Sequence, residues 1–234
     1  MEQRVVAIHQ PNFLPWLGFF NKWAKSDVFI LLDDVQFPKT GGVWINRCGV
    51  LKNSESSWIT VPIKRNFNGK KLINEVEIID DISWKTDIKN KVKNYYKGAS
   101  FFDEIVSLLD ECLKNETINL CDFNFQILKI VGNKLRLDSN KIVFSSNLKS
   151  FGDKTDRLCS LVEAVSGTKY LSGDGSRGYQ DDQVFLNKHI EVEYQNFRQK
   201  PYNQISGQEF VSGLSVLDSL MNLGIDKVKS DYLL

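Results

Sequence analysis

Two short apolar runs in this sequence each end in side chains that can carry chemistry. The first run, Val5 to Ile8, is followed by His9, Gln10 and Asn12. A histidine in this place can donate a proton, accept one, or hydrogen-bond a phosphate, and the two amides can bind a polar ligand. The alternative is a structural turn whose polar side chains only satisfy backbone groups. Two prolines stiffen this turn, which favours a preorganised site.

The second run, Val28 to Leu32, ends in an acidic pair, Asp33 and Asp34, with Gln36 shortly after it. Two carboxylates at a strand end can hold Mg²⁺, orient a ribose hydroxyl or bind a substrate amine. We therefore take His9, Asp33 and Asp34 as catalytic candidates, with the choice between the two carboxylates open. Gln10, Asn12 and Gln36 are candidates for substrate binding. The alternative for the acidic pair is a solvated strand end.

Two later segments offer groups that suit phosphates. Arg47 can form a bidentate fork to a phosphate or carboxylate, and Asn46 beside it can bind an amide or hydroxyl. The glycine-rich segment 173–178 follows a predicted strand and could bring backbone N–H groups close to phosphates. Its candidate binding residues are Gly173, Asp174, Ser176 and Arg177. The alternative for Arg47 is a surface ion pair. The alternative for segment 173–178 is an ordinary turn, because a dinucleotide fingerprint normally occupies the first strand-to-helix turn.

The elements that must position these groups follow an α/β pattern. Strand 5–8, a helix over 16–25 and strand 28–32 make a strand–helix–strand unit, which is almost always right-handed and parallel. Apolar periodicity predicts helices over 83–96, 100–114, about 117–137, from 153, and over 215–223. Further strands are predicted over 58–63, 76–79, 142–144, 170–171 and 190–194. We expect one Rossmann-like α/β domain over residues 1–234, with a mostly parallel sheet and a helical insertion at about 83–137.

Composition excludes several classes of protein. The 234 residues are 42% hydrophobic and 25% charged, and the net charge of +1 offers no strong field for nucleic acid or an acidic membrane. The short apolar start does not suit a secretory signal, and no segment approaches the roughly 20 apolar residues of a membrane span, so we expect a cytoplasmic protein. The four cysteines lie far apart without a C-x-x-C pair, which predicts reduced thiols and no metal site.

The polar segments belong to longer motifs that resemble the WbqC-like protein family. In chain order they are IHQPNFLPWLG (8–18), DVF (27–29), LDDVQF (32–37), WINR (44–47), VP (61–62), YLSG (170–173), SR (176–177) and LSVLD (214–218). The resemblance covers residues 5 to about 224. It implies a place in the biosynthesis of O-antigen and other surface polysaccharides, with glycine transfer to an amino sugar as the suggested activity. It implies no established set of catalytic residues.

A weaker likeness relates the first strand, turn and helix to nucleotidylyltransferases and pantothenate synthetase, which use an adenylate in a Rossmann-like fold. Those enzymes carry a paired His-x-x-His or His-x-Gly-His in this turn. Here His9 is the only histidine of this turn, and the residue directly after Gly18 is not a histidine. This departure argues against ATP chemistry.

Three hypotheses about function follow. The first is an acyl transferase or amide ligase that attaches glycine to a nucleotide-linked amino sugar, such as a dTDP-linked one. Its base would be His9 or one of the two aspartates, and its glycine would be activated with ATP and Mg²⁺ or supplied as glycyl-tRNA. The near-neutral charge disfavours tRNA, as it does other nucleic acids. The alternatives are a non-catalytic sugar-nucleotide binding protein of the same pathway and a nucleotidyltransferase-like enzyme, which would release pyrophosphate.

The parallel strands also predict where the candidate residues meet. Carboxyl ends of neighbouring parallel strands open at one edge of the sheet, where ligands bind. We therefore expect His9, one or both aspartates, Asn46 and Arg47 to line one pocket, with Ser176 or Arg177 facing them.

Overall fold

The computed structural model describes residues 3–38, 44–65, 69–178 and 180–234. The strands of this part of the chain are β1 Val5–His9, β2 Val28–Leu31, β3 Arg47–Lys52, β4 Glu55–Thr60, β5 Ile142–Phe144, β6 Lys169–Ser172 and β7 Glu191–Tyr194. Its α-helices are α1 Leu17–Ala24, α2 Ser83–Tyr95, α3 Phe102–Leu113, α4 Leu120–Lys134, α5 Lys154–Ala164, α6 Asp182–Asn187 and α7 Val216–Tyr232. None of the helices described is long and apolar enough to cross a membrane.

Five of the strands form a parallel sheet in the order β5-β2-β1-β6-β7. The predicted neighbours β1 and β2 are parallel, with His9 paired in register to Leu31. The predicted Rossmann-like α/β fold is therefore confirmed. The chain builds the sheet outward from β1 through β2 to β5, then returns to the other side of β1 for β6 and β7. The direction of winding thus reverses between β1 and β6.

Helices cover both faces of this sheet because alternate residues of each strand are apolar on opposite sides. Ala7, Phe29 and Leu31 belong to the larger core on the side of α1. Val6 and Ile30, on the other side, pack in a second core with α5 and α6. A carboxyl-edge crevice between two such layers is where doubly wound folds bind their ligands.

The predicted helical insertion is present as α2, α3 and α4, which contribute to the larger core. Two strand predictions were wrong in part. The segment predicted over 58–63 belongs to β4 and stops at Thr60, and its partner β3 was not predicted. The segment 76–79 forms only isolated bridges, because Glu77 pairs with Asn119 while its neighbour Ile78 pairs with Ile63. Its two residues have different partners, so no ladder forms.

Candidate functional site

A cavity of about 580 Å³ opens at the carboxyl edge of the sheet, where the winding reverses between β1 and β6. His9 from β1, Lys22 from α1 and the turn that begins at Gly173 after β6 contribute to its wall. Aromatic side chains, among them Trp16 and Phe19, make up much of the apolar lining. A mostly apolar cavity with a few convergent polar groups at such a reversal is the usual form of a small-molecule site.

His9 is held as an uncharged ring in this cavity. Its imidazole packs edge-on against Trp16 and Phe19, with ring centroids 5.3 and 4.9 Å away. Burial, together with the nearby charge of Lys22, lowers the pKa of His9 to about 3. Nδ1 lies 3.1 Å from the carbonyl oxygen of Gln10, which can only accept, so this nitrogen carries the proton. The other nitrogen, Nε2, is therefore the hydrogen-bond acceptor.

Lys22 places an amine at the crevice between β1 and β6. The side chain is only 3% exposed, and its Nζ donates a 2.9 Å hydrogen bond to the carbonyl oxygen of Ile8. The same nitrogen lies 5.9 Å from the centroid of the Tyr170 ring on β6. Burial lowers the pKa of Lys22 to about 7, although the Asp174 carboxylate offsets part of that shift. The amine can therefore take up or release a proton near neutral pH.

The turn after β6 supplies the opposite wall. Ser176 accepts or donates a 2.7 Å hydrogen bond with Ser172 and donates one of 2.8 Å to the carbonyl oxygen of Gly173. A Cβ built at Gly173 would lie 3.9 Å from Lys22 Nζ, so this backbone approaches the buried amine. Asp174 lines the cavity as well. Arg177 points its guanidinium over Tyr194, 3.9 Å from the ring centroid, and is not among the described lining residues.

Side chains of distant residues hold the turn between β1 and α1 in place by hydrogen bonds to backbone carbonyls. The amide of Asn124 on α4 donates to the carbonyl oxygens of Pro11 and Ile45, at 2.8 and 2.6 Å. Ser215 donates from Oγ to the Leu14 carbonyl at 2.7 Å, and Leu14 itself has a positive φ of 40°. A non-glycine residue in that region needs support from its surroundings. The turn that carries His9 and Trp16 is thus anchored from two distant segments.

The crowded surroundings of residue 18 explain why this position is a glycine. A Cβ at this position would lie 2.8 Å from Trp16 Nε1 and 2.9 Å from Phe197 Cδ1. Gln195 reaches the same place and donates from Nε2 to the Gly18 carbonyl at 2.7 Å. Only glycine lets the helix approach these cavity-lining groups so closely.

The structure places the two predicted aspartates on the other side of β2, away from the reversal. Asp33 is 3% exposed and accepts hydrogen bonds from Ser145 Oγ, from Ser146 N and Oγ, and from Asn74 Nδ2, at 2.7 to 3.1 Å. Asp34 accepts from Ser145 and pairs with Arg157 at 2.5 Å. Neither aspartate is among the described residues that line the cavity. Both connect the ends of β2 and β5.

Asn46 and Arg47 lie at the start of the β3–β4 hairpin, outside the parallel sheet. Asn46 is buried and donates to the Val61 carbonyl at 3.0 Å. Arg47 places its guanidinium over Trp58, 4.2 Å from the ring centroid. Asn12 is buried at 3% exposure, whereas Gln36 is exposed and forms an isolated bridge with Leu72. His9 and Gln10 line the cavity, as the sequence predicted. Of the other ten residues predicted for the site, the three that also line it are Gly173, Asp174 and Ser176.

Among the cavity-lining residues that sequence reasoning did not assign to the site, Lys22 carries a titratable amine. One signal for it exists, because Lys22 is the only charged residue in the apolar helix α1 and follows Gly18 by four positions, which places both on one helix face. A lone lysine in an apolar helix normally reaches solvent along its stem, so the pattern alone predicts an exposed amine.

The motif that ends at Asp218 has a structural role. This carboxylate is fully buried and accepts hydrogen bonds from Tyr96, Tyr202 and Gln204 at 2.6 to 3.1 Å. Tyr96 in turn accepts from the backbone N–H of Leu51 at 2.9 Å. The network connects α7, α2, β3 and the loop before α7.

The cysteines and acidic residues form no evident metal centre. No group of three or more His, Cys, Asp or Glu side chains within the described ranges could hold a metal ion. Cys48, Cys112, Cys121 and Cys159 are all buried free thiols, and burial raises the pKa of each. These thiols therefore stay protonated at neutral pH and pack as small apolar side chains.

The fold and its cavity define a doubly wound α/β protein with a candidate ligand-binding cavity at the winding reversal. The model of the WbqC-like protein family matches residues 10–230. A protein of Mycobacterium tuberculosis (strain ATCC 25618 / H37Rv), named "Uncharacterized protein Rv1507c", is 32% identical over 232 residues, covering 97% of this chain and 96% of its own length. No solved structure was found to match. The chain belongs to the WbqC-like protein family.

Proposed function

We propose that this protein is an acyl transferase or amide ligase that attaches glycine to the amino group of a nucleotide-linked amino sugar, in the biosynthesis of O-antigen or another surface polysaccharide. The observation that carries the proposal is the pair His9 and Lys22 in one cavity at the winding reversal. Amide formation from a sugar amine needs a group that removes a proton from it, and both nitrogen bases lie where a substrate would bind.

The two residues have different roles in the proposed reaction. Lys22, with a pKa of about 7, accepts the proton that the attacking amine loses. His9, with a pKa of about 3, stays neutral, and its Nε2 accepts a hydrogen bond from the same amine and orients it. The amine nitrogen forms a bond to the glycyl carbonyl carbon, and the bond from that carbon to the leaving oxygen breaks. With an adenylate, AMP leaves as an anion and the proton stays on Lys22; with glycyl-tRNA, Lys22 passes the proton to the departing ribose oxygen.

The two predicted aspartates lie outside the cavity, whereas Gly173 and Ser176 line it. Asp33 and Asp34 are assigned to hold the ends of β2 and β5 rather than to move a proton, since their oxygens are occupied by serine, asparagine and arginine donors. Ser176 and the backbone of Gly173 border the amine-binding region. The leaving oxygen belongs to an adenylate or to the ribose of glycyl-tRNA.

The test is product analysis by mass spectrometry. Purified protein is incubated with a dTDP-linked amino sugar and glycine, once with ATP and Mg²⁺ and once with glycyl-tRNA. We expect the sugar nucleotide to gain the mass of one glycyl group in one of the two reactions. Binding of the sugar nucleotide without any product would instead make the protein a non-catalytic binding protein. Pyrophosphate release that does not require glycine would make it a nucleotidyltransferase.

A further inference from the structure

An aromatic strip leads from the cavity to the surface of the β3–β4 hairpin. Trp16 lines the cavity beside His9 and contacts Trp44, with ring centroids 5.1 Å apart. Trp44 in turn contacts Trp58 at 5.5 Å. Trp16 and Trp44 are half-buried and Trp58 is 42% exposed, so the strip stays open to solvent along its length. Three tryptophans therefore lie in a row that leads away from the cavity, and none of them is fully buried.

Arg47 forms the outer end of this strip. Its guanidinium carbon lies 4.2 Å from the centroid of the Trp58 ring. Its Nε is buried and has no hydrogen-bond partner among the residues that the structure describes. A buried N–H without an acceptor is unfavourable, and an oxyanion on the guanidinium fork would supply one. The arginine is thus a donor held in place by an aromatic ring and lacking its acceptor.

The hairpin register keeps the two groups together. Arg47 pairs with Thr60 and Gly49 pairs with Trp58, so Arg47 and Trp58 lie diagonally on one face of the two strands. Gly49 lies beside Trp44, since a Cβ built at Gly49 would lie 3.9 Å from the Trp44 ring atom Cη2, an ordinary contact distance. The backbone therefore fixes the spacing between an anion-binding fork and an exposed indole.

We propose that Arg47 and Trp58 form an outer subsite for the nucleotide half of the substrate, with the nucleobase stacked on Trp58 and a phosphate on Arg47. Aromatic faces bind bases of any sequence by stacking, and an arginine fork matches phosphate geometry. The strip over Trp44 and Trp16 then carries the diphosphate and sugar inward to the cavity. This inference rests on the proposed function for the identity of the substrate.

The test measures binding of dTDP alone, without sugar or acyl donor, so that its outcome does not depend on transfer activity. Isothermal titration should show dTDP binding to the wild type, and Trp58→Leu and Arg47→Lys should each weaken it by about 10-fold or more. The binding of dTDP should quench tryptophan fluorescence in the wild type and not in Trp58→Phe. Thermal melting verifies that each variant is folded, and Arg47→Lys keeps the charge if Trp58→Leu does not fold.

The same hairpin offers a matched control. Lys52 lies at the end of β3 over the Tyr95 ring, 5.7 Å from its centroid, and is another cation on an aromatic face. Lys52→Met should leave the dTDP affinity within about 2-fold of wild type. Absence of dTDP binding to the wild type, or wild-type affinity for dTDP in folded Arg47→Lys and Trp58→Leu, would overturn the inference. Pyrophosphate that binds as tightly as dTDP would overturn the assignment of the base to Trp58.

Discussion

The amine nitrogen of Lys22 lies 2.9 Å from the carbonyl oxygen of Ile8, so a side chain from α1 is fixed over the carboxyl end of β1. The contact brings a titratable amine to the point where the winding of the sheet reverses, beside His9. Burial keeps this amine close to its neutral form, which is unfavourable for folding and useful for proton transfer. The predictions below separate these two consequences.

Replacing the buried amine should remove function without loss of stability. Lys22→Met keeps most of the apolar stem and removes a group whose charged form is disfavoured by burial. We expect the free energy of unfolding to be unchanged or higher by up to about 3 kcal/mol at neutral pH, measured by urea unfolding. The control is Lys25→Met, which replaces an exposed lysine three positions further along the chain and should change stability little. A large loss of stability in Lys22→Met would show that the amine is mainly structural.

The titration of Lys22 can be observed directly. We expect one lysine Nζ resonance, followed by nuclear magnetic resonance, to titrate near pH 7. The same resonance should be missing from Lys22→Met. Since the folded pKa is lower than the unfolded value of 10.5, the unfolded chain binds this proton more readily, and stability should rise with pH between about 7 and 10.5. A spectrum in which every lysine titrates above pH 9 would refute the neutral-amine account.

His9 should contribute to acid sensitivity. Its pKa is about 3 in the folded protein and 6.5 in the unfolded chain, so the unfolded chain takes up the proton first and stability falls as pH falls from 6.5 towards 3. Between about pH 6.5 and 5 this amounts to roughly 2 kcal/mol. His9→Asn should lose that part of the dependence. The control is His189→Asn, the exposed second histidine, which has a positive φ that asparagine tolerates. Identical pH profiles for wild type and His9→Asn would contradict the expectation.

Replacing Asp33 should reduce the stability of the protein more than replacing Asp34. Asp33 is buried and accepts four hydrogen bonds, one of them from the buried Ser145 hydroxyl, so Asp33→Ala removes the acceptor of all four and should cost about 3 kcal/mol. Asp34 is partly exposed, and Asp34→Asn should cost about 1 kcal/mol or less through its pair with Arg157. Both values come from denaturant unfolding. Folded Asp33→Asn that retains full turnover would support the structural assignment, and folded protein without turnover would restore Asp33 as a catalytic candidate.

The sequence predicted the neighbouring parallel strands because their apolar runs and short connection admit few other arrangements. It could not predict on which side of β1 the later strands add. Since β5 adds beyond β2 and β6 adds beside β1, the end of β2 faces Ser145 and Ser146, whereas His9 faces the loop after β6. Strand-end position predicted one pocket for His9, Asp33 and Ser176, whereas the structure has His9 and Ser176 on the cavity wall and Asp33 beside Ser145 and Ser146.

Two other features lie beyond the reach of sequence patterns. Arg47 belongs to an antiparallel hairpin, so the edge rule for parallel strands does not govern its position. Lys22 becomes buried only because the ends of β1 and β6 and the turn at Gly173 enclose it, and these contacts are distant in sequence. Hydrophobic periodicity predicts which face of a helix is apolar, but it does not predict which other segments of the chain will bury the last turn of that helix.

The central claim is that transfer takes place in the cavity that holds His9 and Lys22. The most direct measurement is the initial rate of glycyl transfer to the sugar nucleotide by wild type, Lys22→Met and Lys25→Met, followed by mass spectrometry at neutral pH on protein shown to be folded. We predict that Lys25→Met retains the wild-type rate and that Lys22→Met falls by at least about 100-fold, within the range that a positioned proton acceptor contributes. A wild-type rate in Lys22→Met would contradict the account.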